Sequence, residues 1–295
     1  MPGISRQVAG ERPWTGPPGT WLRRWLFWLT AGTMVGLEVA FGLCALGAPL
    51  SPPLAIAGLA VCLPLVLATG GVLLERGREA AREPEAWWRW TLCGAGVYLV
   101  WAVVYFAIGK LVDPSRVHLL RSPLEARIPL LPSFSLLYVL LYPMYLFPFF
   151  VVRDKAVLIR LLVADILMLP ICSVLFIAVP VSFERVTTLP VTDLGSWLLS
   201  VVWSADVTWN CMPSEHCMAA MIATLAIIES KRNVGYFALF TTILIGLSTL
   251  FTKQHYLVDV LAGYAGAVAI YAALKRLPRF AAAPVRRPME QIGDR

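Results

Sequence analysis

The sequence has 295 residues, of which 58% are hydrophobic and 15% are charged, and its mean hydropathy is +0.71. Soluble domains carry about 45–50% apolar and about 25% charged residues, so this composition excludes an ordinary cytosolic protein. The formal net charge of +7 would suggest nucleic acid as the partner of a soluble protein. In a membrane protein the same excess sets the orientation, so we expect the bilayer, and no nucleic acid, as the partner.

Eight segments of the sequence are long and apolar enough to span a bilayer. Such a helix needs about 20 mostly apolar residues, because its backbone groups must all bond within the segment. The segments are 25–46, 53–74, 90–111, 134–152, 157–179, 212–228, 234–251 and 255–274. Prolines at positions 143, 148 and 170, with Asp165 in the fifth segment, predict that the fourth and fifth segments are kinked or packed inside the bundle. The fold class predicted is an all-α, polytopic membrane bundle of eight helices.

The distribution of basic residues predicts which way the bundle faces. Eight spans place both termini on one side, and 19 of the 25 Lys and Arg residues fall in the termini and loops of that side. The positive-inside rule then places both termini in the cytoplasm of a cell-membrane protein. The loops 112–133, 180–211 and 252–254 face the periplasm or the cell exterior.

The chemistry-bearing residues collect on this predicted outer face, beginning with a Pro-Ser-Glu-His motif at 213–216. Pro213 suits the first position of the sixth span, which places Ser214 and His216 in its first turn. There the unbonded N–H groups and the helix dipole favour an anion. The Ser hydroxyl adds a donor, and the imidazole exchanges a proton near neutral pH. The motif therefore predicts a phosphate-binding environment.

A second motif lies at 248–259, where the seventh and eighth spans join. His255 and Asp259 are four residues apart, so on a helix the carboxylate can accept from one ring nitrogen and leave the other to attack. Such a pair can also simply stabilise a helix. The catalytic interpretation gains support because two of only three histidines lie at outer ends of neighbouring spans. The third, His118, is expected to be an interfacial residue.

At residues 213–216 and 248–259, with Asp206 and Asn210 ahead of the first motif, the sequence resembles the type 2 phosphatidic acid phosphatase superfamily. It resembles more closely the inositol-phosphorylceramide-synthase-like (aureobasidin-resistance-type) branch, also at 128–132 and at Tyr138 and Tyr142. The resemblance covers roughly residues 120–275 and implies a six-span core. We expect that core at 90–278, two extra helices within 21–89, and flexible cytoplasmic tails at 1–20 and 279–295.

The resemblance also implies a mechanism and a set of site residues. His255 attacks phosphorus, Asp259 orients it, and His216 acts as general acid on the leaving alkoxide of a membrane lipid, with no metal and no cofactor required. A phosphohistidine intermediate is then resolved by water or another alcohol. The residues expected to bind substrate are Ser214, Arg185, Lys253, Asn210, Asp206, Ser248, Thr252 and Tyr256.

The sequence departs from the superfamily pattern at two phosphate-binding cations. The phosphatases carry a KxxxxxxRP motif before the first histidine motif, and this chain has none. They also carry Arg directly after the Ser of the second motif, where this chain has Thr249. Arg185 and Lys253 are the replacements we consider, with Arg127 a weaker one, although each is also explained as a cation facing lipid headgroups.

Three functions therefore stay open. The first is hydrolysis of a lipid phosphate, diphosphate or phosphodiester. The second is transfer of a phosphorylated headgroup to a lipid alcohol, which a weaker cationic site favours because fewer negative charges need neutralising. The third is a non-catalytic transporter or scaffold that retains the fold.

Overall fold

The computed structural model describes residues 20–45 and 87–278, apart from positions 121 and 187. Short 3-10 turns lie at Pro114–Arg116 and Pro132–Phe134. The helices are α1 (Thr20–Ala45), α2 (Trp87–Leu111), α3 (Pro123–Arg127), α4 (Ser135–Tyr138), α5 (Leu141–Val151), α6 (Lys155–Ala178), α7 (Leu194–Ala205), α8 (Glu215–Ser230), α9 (Arg232–Phe251) and α10 (Leu257–Arg276).

Within the described ranges, six stretches are long and apolar enough to cross a membrane. The all-α membrane bundle is therefore confirmed, but the count of eight spans is not. The predicted second span, 53–74, lies outside the described residues, as do the predicted C-terminal tail at 279–295 and positions 1–19 of the predicted N-terminal tail at 1–20; the last residue of that tail, Thr20, is instead the first residue of α1. The predicted sixth span forms α8, which has 16 residues. It rises about 24 Å, less than the roughly 30 Å of a hydrocarbon core.

Helix α8 lies at the centre of the bundle, in contact with α5, α6, α9 and α10. Small and branched apolar side chains along it are completely buried, among them Ala220, Ile222 and Ala226. Such a helix is apolar all round because protein, rather than lipid, surrounds it. The rigid position of α8 fixes the first-turn residues that begin at Glu215.

The predicted kink in the fourth span is a break between α4 and α5. The helix is interrupted at Val139 and Leu140, three to four residues before Pro143. A proline ring clashes with the carbonyl of the residue four positions earlier in a continuous helix, which here is Val139. The helix is therefore broken at Val139. Pro170, by contrast, lies inside α6, which is continuous.

A small parallel sheet joins the loops at the end of the bundle that carries the two histidine motifs. Strand β1 (His118–Leu119) pairs with β2 (Val181–Ser182), and Val181 also bridges to Asn210. Helix α7 follows in the second loop and starts with a capping box between Asp193 and Ser196. Helix α7 has 12 residues, which is too few to cross a membrane.

Candidate active site

The first motif starts α8 with a serine cap. The Ser214 hydroxyl oxygen accepts from the Cys217 N–H at 3.3 Å, and the Ser214 N–H donates to the Asp259 carbonyl at 3.0 Å. The prediction that Pro213 is the first helical residue is wrong, since the helix begins at Glu215. The serine hydroxyl accepts a hydrogen bond from an N–H of the first turn, whereas a proline side chain has no acceptor. Ser214 is therefore the N-cap residue that sets the start of α8. His216 lies in the first turn, as predicted.

The second motif forms a tight turn rather than the first turn of a helix. Lys253 has a φ of 56°, and the His255 N–H donates back to the Thr249 carbonyl at 3.2 Å. The predicted eighth span, 255–274, therefore begins two residues too early, since α10 starts at Leu257. The Asp259 Oδ2 atom accepts from the Tyr256 N–H at 2.8 Å and caps this helix.

Asp259 and His255 lie side by side at this capping turn. The distance from His255 Nδ1 to Asp259 Oδ2 is 3.6 Å, and the two side chains are 5% and 0% exposed. His255 Nδ1 and Asp259 Oδ1 are buried with no hydrogen-bond partner in the described part of the chain. The proximity that the sequence predicted is confirmed, but the helix cap produces it, rather than an i,i+4 face.

The two histidine rings meet across the ends of α8 and α10. Their centroids are 5.8 Å apart, with an angle of 60° between the rings. His216 Nε2 shares a hydrogen bond of 2.6 Å with the Tyr138 hydroxyl from α4, and both side chains are buried. The site is thus a compact His–His–Asp cluster with a tyrosine bound to one imidazole.

An aromatic cavity of about 100 Å³ lies beside His216. Its lining comes from α2, α4, α5, α7 and the start of α8. Among the described lining residues Asp206 is the one carboxylate. These residues are Tyr98, Trp101, Ala102, Tyr105, Phe106, Tyr138, Tyr142, Val202, Ala205, Asp206 and His216. An apolar cavity of about 280 Å³ shares Tyr98 and Tyr142 with it.

Arg185 lies close to the cluster but is already paired. Its Nη2 atom donates to Asp206 Oδ2 at 2.5 Å, and also to the side-chain carbonyl of Gln254. The guanidinium carbon is 5.7 Å from the centroid of the Trp203 ring. The Tyr105 hydroxyl donates to the other oxygen of Asp206 at 2.8 Å. Two predicted substrate-binding residues therefore form one ion pair.

Lys253 is turned toward the backbone of the loop that follows α3. Its Nζ donates to the Ile128 carbonyl at 2.5 Å and lies 5.6 Å from the centroid of the Phe183 ring. Burial lowers the pKa of Lys253, against a smaller opposite effect of the Glu125 carboxylate. Arg127, the third cation considered, is exposed on α3.

The remaining predicted substrate-binding side chains hold loops and helix ends together. They are buried, and each donates to a backbone carbonyl. The bonds run from Ser248 to Ile245 at 2.6 Å, from Thr252 to Ser248 at 2.7 Å, from Tyr256 to Ser182 at 3.0 Å and from Asn210 to Tyr105 at 2.9 Å. Their roles toward substrate stay predictions.

The sequence did not predict two contacts at the site. Tyr138 stood out only as part of the family resemblance, and nothing in its spacing indicated His216 as its partner. Ligand atoms of Cys211, His255 and Asp259 lie within 4.8 Å of one another. Thiolate, imidazole and carboxylate are the groups that bind Zn²⁺. The one available signal was the position of Cys211, directly ahead of the first motif.

A protein-family model described as the PAP2 superfamily matches residues 134–281, which is half of the chain. The matched part contains Tyr138, both site histidines and Asp259. No curated protein and no solved structure matches the chain.

Proposed function

Since the chain belongs to the PAP2 superfamily, a membership that supports a lipid phosphatase or phosphotransferase type of activity, we propose that it hydrolyses a phosphate ester or diphosphate of a membrane lipid through a phosphohistidine intermediate. We place the site near the headgroup plane on the outer face of the cell membrane. The observation that carries the proposal is the buried cluster of His255, Asp259 and His216 at one end of the bundle.

In the proposed mechanism His255 is the nucleophile. Asp259 lies at Nδ1, so the opposite nitrogen, Nε2, forms the bond to phosphorus while the bond from phosphorus to the oxygen of the leaving group breaks. His216 gives a proton to that oxygen, and the lipid leaves as an alcohol from a phosphate ester, or as a lipid monophosphate from a diphosphate. Water then attacks the phosphohistidine, its proton returns to His216, and free phosphate is released. The cycle leaves both histidines as they began.

The environment of the phosphate supports this chemistry only in part. The N-terminal turn of α8 and the Ser214 hydroxyl favour the developing negative charge. Arg185 is the nearest guanidinium, but Asp206 already neutralises it at 2.5 Å. We infer that substrate phosphate competes with Asp206 for Arg185.

A second function, transfer of the phosphorylated headgroup to a lipid alcohol, is favoured by the lack of a described cation in the cavity beside His216. The cavity beside His216 contains Asp206 and no Lys or Arg among its described lining residues. Such a cavity suits a phosphodiester, which carries one negative charge, better than a dianionic monoester. A transferase would also need room for an alcohol in place of water, and the aromatic lining provides an apolar surface for one.

The test offers the purified protein a panel of radiolabelled lipid phosphates, diphosphates and phosphodiesters. We expect turnover by the wild type and a loss of about 10⁴-fold or more in the His255→Ala variant. His118→Ala is the matched control, since His118 is exposed on β1 and is not one of the cluster residues. Brief reaction and acid-free quenching should trap labelled protein in the wild type and in His118→Ala, but not in His255→Ala. Equal activity in His255→Ala would refute the assignment of the nucleophile.

A second assay separates hydrolysis from transfer. Ceramide or diacylglycerol is supplied with the substrate, and the lipid products are resolved. A hydrolase releases phosphate or a phosphorylated headgroup at the same rate with or without the acceptor, whereas a transferase forms a new phosphorylated lipid. No turnover of any lipid on the panel would favour the non-catalytic alternative.

A further inference from the structure

Glu215, between Ser214 and His216 in the first motif, takes no part in the proposed mechanism. Its side chain is 1% exposed, and it is not among the described residues that line the cavity beside His216. None of the ion pairs among the described residues includes it. A carboxyl group buried without a cation must be held by neutral donors, because burial removes its water.

Two neighbouring helices supply those donors. The Trp101 Nε1 atom of α2 donates to Glu215 Oε2 at 2.9 Å. The Cys172 thiol of α6 is a second side-chain hydrogen-bond partner of the same carboxyl group. Trp101 and Glu215 are 114 positions apart in the sequence, so this bond ties the start of α8 directly to α2.

Trp101 is also a wall of the candidate active site. Its ring lines the cavity beside His216, with the two ring centroids 6.3 Å apart and the rings at 83°. The indole stacks on Tyr105 at a centroid distance of 5.6 Å, and the Tyr105 hydroxyl donates to Asp206. The indole is therefore held at its nitrogen by Glu215 and along its face by Tyr105.

The cavity that Trp101 lines is small. Its volume of about 100 Å³ is below the roughly 300 Å³ at which ligand pockets begin, so only the part of a lipid nearest the phosphorus fits. In the proposed reaction of a phosphate ester that part is the start of the leaving alcohol, because His216 gives a proton to its oxygen. Overfilling a packed site costs free energy, so a branch close to that oxygen is disfavoured.

We propose that Trp101 selects lipid alcohols that are unbranched next to the phosphate oxygen, and that Glu215 is the positioning residue that holds Trp101 in place. The proposal rests on the proposed function, since that function places the leaving alcohol beside His216. Glu215 acts on the substrate only through the indole. Removal of its carboxyl group therefore relaxes the selection without removing a group that reacts.

The test measures the binding of two isomeric phosphonates to the purified full-length chain by thermophoresis. Tridecylphosphonate is unbranched, and its isomer carries a butyl branch on the third carbon. The carbon bound to phosphorus replaces the ester oxygen, so neither compound is hydrolysed, and the branch falls where a glycerolipid branches. We expect the wild type to bind the unbranched isomer about 10-fold more tightly or better, and Trp101→Ala and Glu215→Leu to reduce this preference to about twofold.

Two further variants serve as controls. Glu215→Gln should retain the wild-type preference, because its amide oxygen still accepts from the indole. Trp88→Ala should retain it as well, since Trp88 lies on the same helix as Trp101, is 49% exposed and is not among the described lining residues. A general loss of structure weakens the binding of both isomers, so the ratio of the two dissociation constants reports the shape of the cavity.

The outcomes separate this proposal from the proposed catalysis. If Glu215→Leu does not fold, Trp101→Phe, which removes the N–H and keeps an aromatic ring, should lower the preference in the same direction. No binding or equal binding of the isomers by the wild type, an unchanged preference in Trp101→Ala, or its loss in Glu215→Gln would overturn the proposal. A wild type that shows the preference but cleaves no lipid would refute the proposed hydrolysis and support the selection by Trp101.

Discussion

Buried imidazoles need partners, because an unsatisfied polar atom in a protein interior costs free energy. At this site the two histidines differ in that respect. His216 Nε2 has the Tyr138 hydroxyl at 2.6 Å, whereas His255 Nδ1 faces Asp259 at 3.6 Å with no hydrogen bond. Catalytic hydrogen bonds are often long without substrate and tighten in the complex. His216, the proposed acid, is therefore held in place by a hydrogen bond, whereas His255, the proposed nucleophile, can still adjust its position.

Tyr138 is therefore expected to position His216 through its hydroxyl. The Tyr138→Phe variant removes one oxygen atom and leaves Nε2 without a partner. We expect kcat to fall by about 10- to 100-fold, a part of the 10²–10⁴-fold that a positioned general acid contributes. The pH dependence of kcat should shift as well, because the His216 imidazole loses its hydrogen-bond partner. The measurement is a pH–rate profile beside the thermal unfolding temperature.

Tyr142→Phe is the control for that variant. Tyr142 lines the same cavity but is 47% exposed and does not contact His216 in the described bonds. Its loss should leave the pH profile unchanged. A Tyr138→Phe enzyme with normal kcat and a normal profile would show that the hydroxyl only fills space.

The thiol of Cys211 gives the cluster a sensitivity to thiophilic metals. With His255 and Asp259 it offers three ligand atoms within 4.8 Å, and a bound Zn²⁺ would occupy both groups of the proposed nucleophile. We expect added Zn²⁺ to inhibit the wild type, and Cys211→Ser to raise the inhibitory concentration by about 10- to 100-fold. Burial raises the pKa of the Cys211 thiol. Zinc must displace that proton, so inhibition should weaken as the pH falls.

Cys217→Ser is the matched control in this experiment. Cys217 is a second buried thiol in the first turn of α8, and it is not part of the three-ligand set. Inhibition that is equally strong in Cys211→Ser and in the wild type would place the metal elsewhere.

At the scale of the helices, the close approach of Gly263 in α10 to the start of α8 keeps the two motifs at a fixed spacing. A Cβ atom added at Gly263 of α10 would come within 2.5 Å of the Ser214 carbonyl oxygen. That backbone cannot yield without moving the start of α8, where Ser214 also donates to the Asp259 carbonyl. Gly263 is therefore required for the spacing between His216 and His255.

The Gly263→Ala variant tests this contact. We expect the bundle to fold and kcat to fall by about 100-fold, since a shift of about 1 Å in reacting groups has that effect. At Gly266, one turn along, the added Cβ would meet the Met218 Cε at 2.5 Å. A methionine end can move aside, so Gly266→Ala should change kcat by about twofold or less. Both kcat values are measured with the unfolding temperatures. Equal activities in the two variants would contradict the proposed spacing.

The helices and the site differ in how far the sequence predicts them. Apolar length is a local property, so the helices from 90 to 111 and from 157 to 179 were predicted within a few residues. A kink was one of the two predictions for the fourth span, and the break before Pro143 agrees with it, whereas Pro148 lies inside the continuous helix α5. The start of α8 was misplaced because a capping serine and a first-turn proline compete for the same boundary.

The contacts within the site were less predictable, because they join distant parts of the chain. The pairing of His216 and His255 followed from two motifs at the same end of neighbouring spans. Tyr138 contacts His216 across 78 positions of the sequence, and Arg185 binds Gln254 across 69. No spacing rule reaches over such separations, and only the packed helices bring these side chains together.

At the scale of the whole molecule, charge and chemistry lie at opposite ends of the bundle. The histidine cluster lies at the end that carries the sheet of β1 and β2, and the basic residues Arg23, Arg24, Arg153 and Lys231 lie at the other end. Cations accumulate on the cytoplasmic side of membrane proteins. The arrangement therefore supports an outward-facing site for the proposed chemistry.

Labelling of single cysteines tests this orientation. Thr192 precedes α7 at the histidine end, and Asn233 lies in the first turn of α9 at the other; both are exposed. In a background where the exposed Cys93 is replaced, a membrane-impermeant maleimide added to intact cells should modify Thr192→Cys and spare Asn233→Cys. Permeabilised cells should show both modified, which controls for accessibility. The reverse pattern would invert the topology and place the proposed chemistry in the cytoplasm.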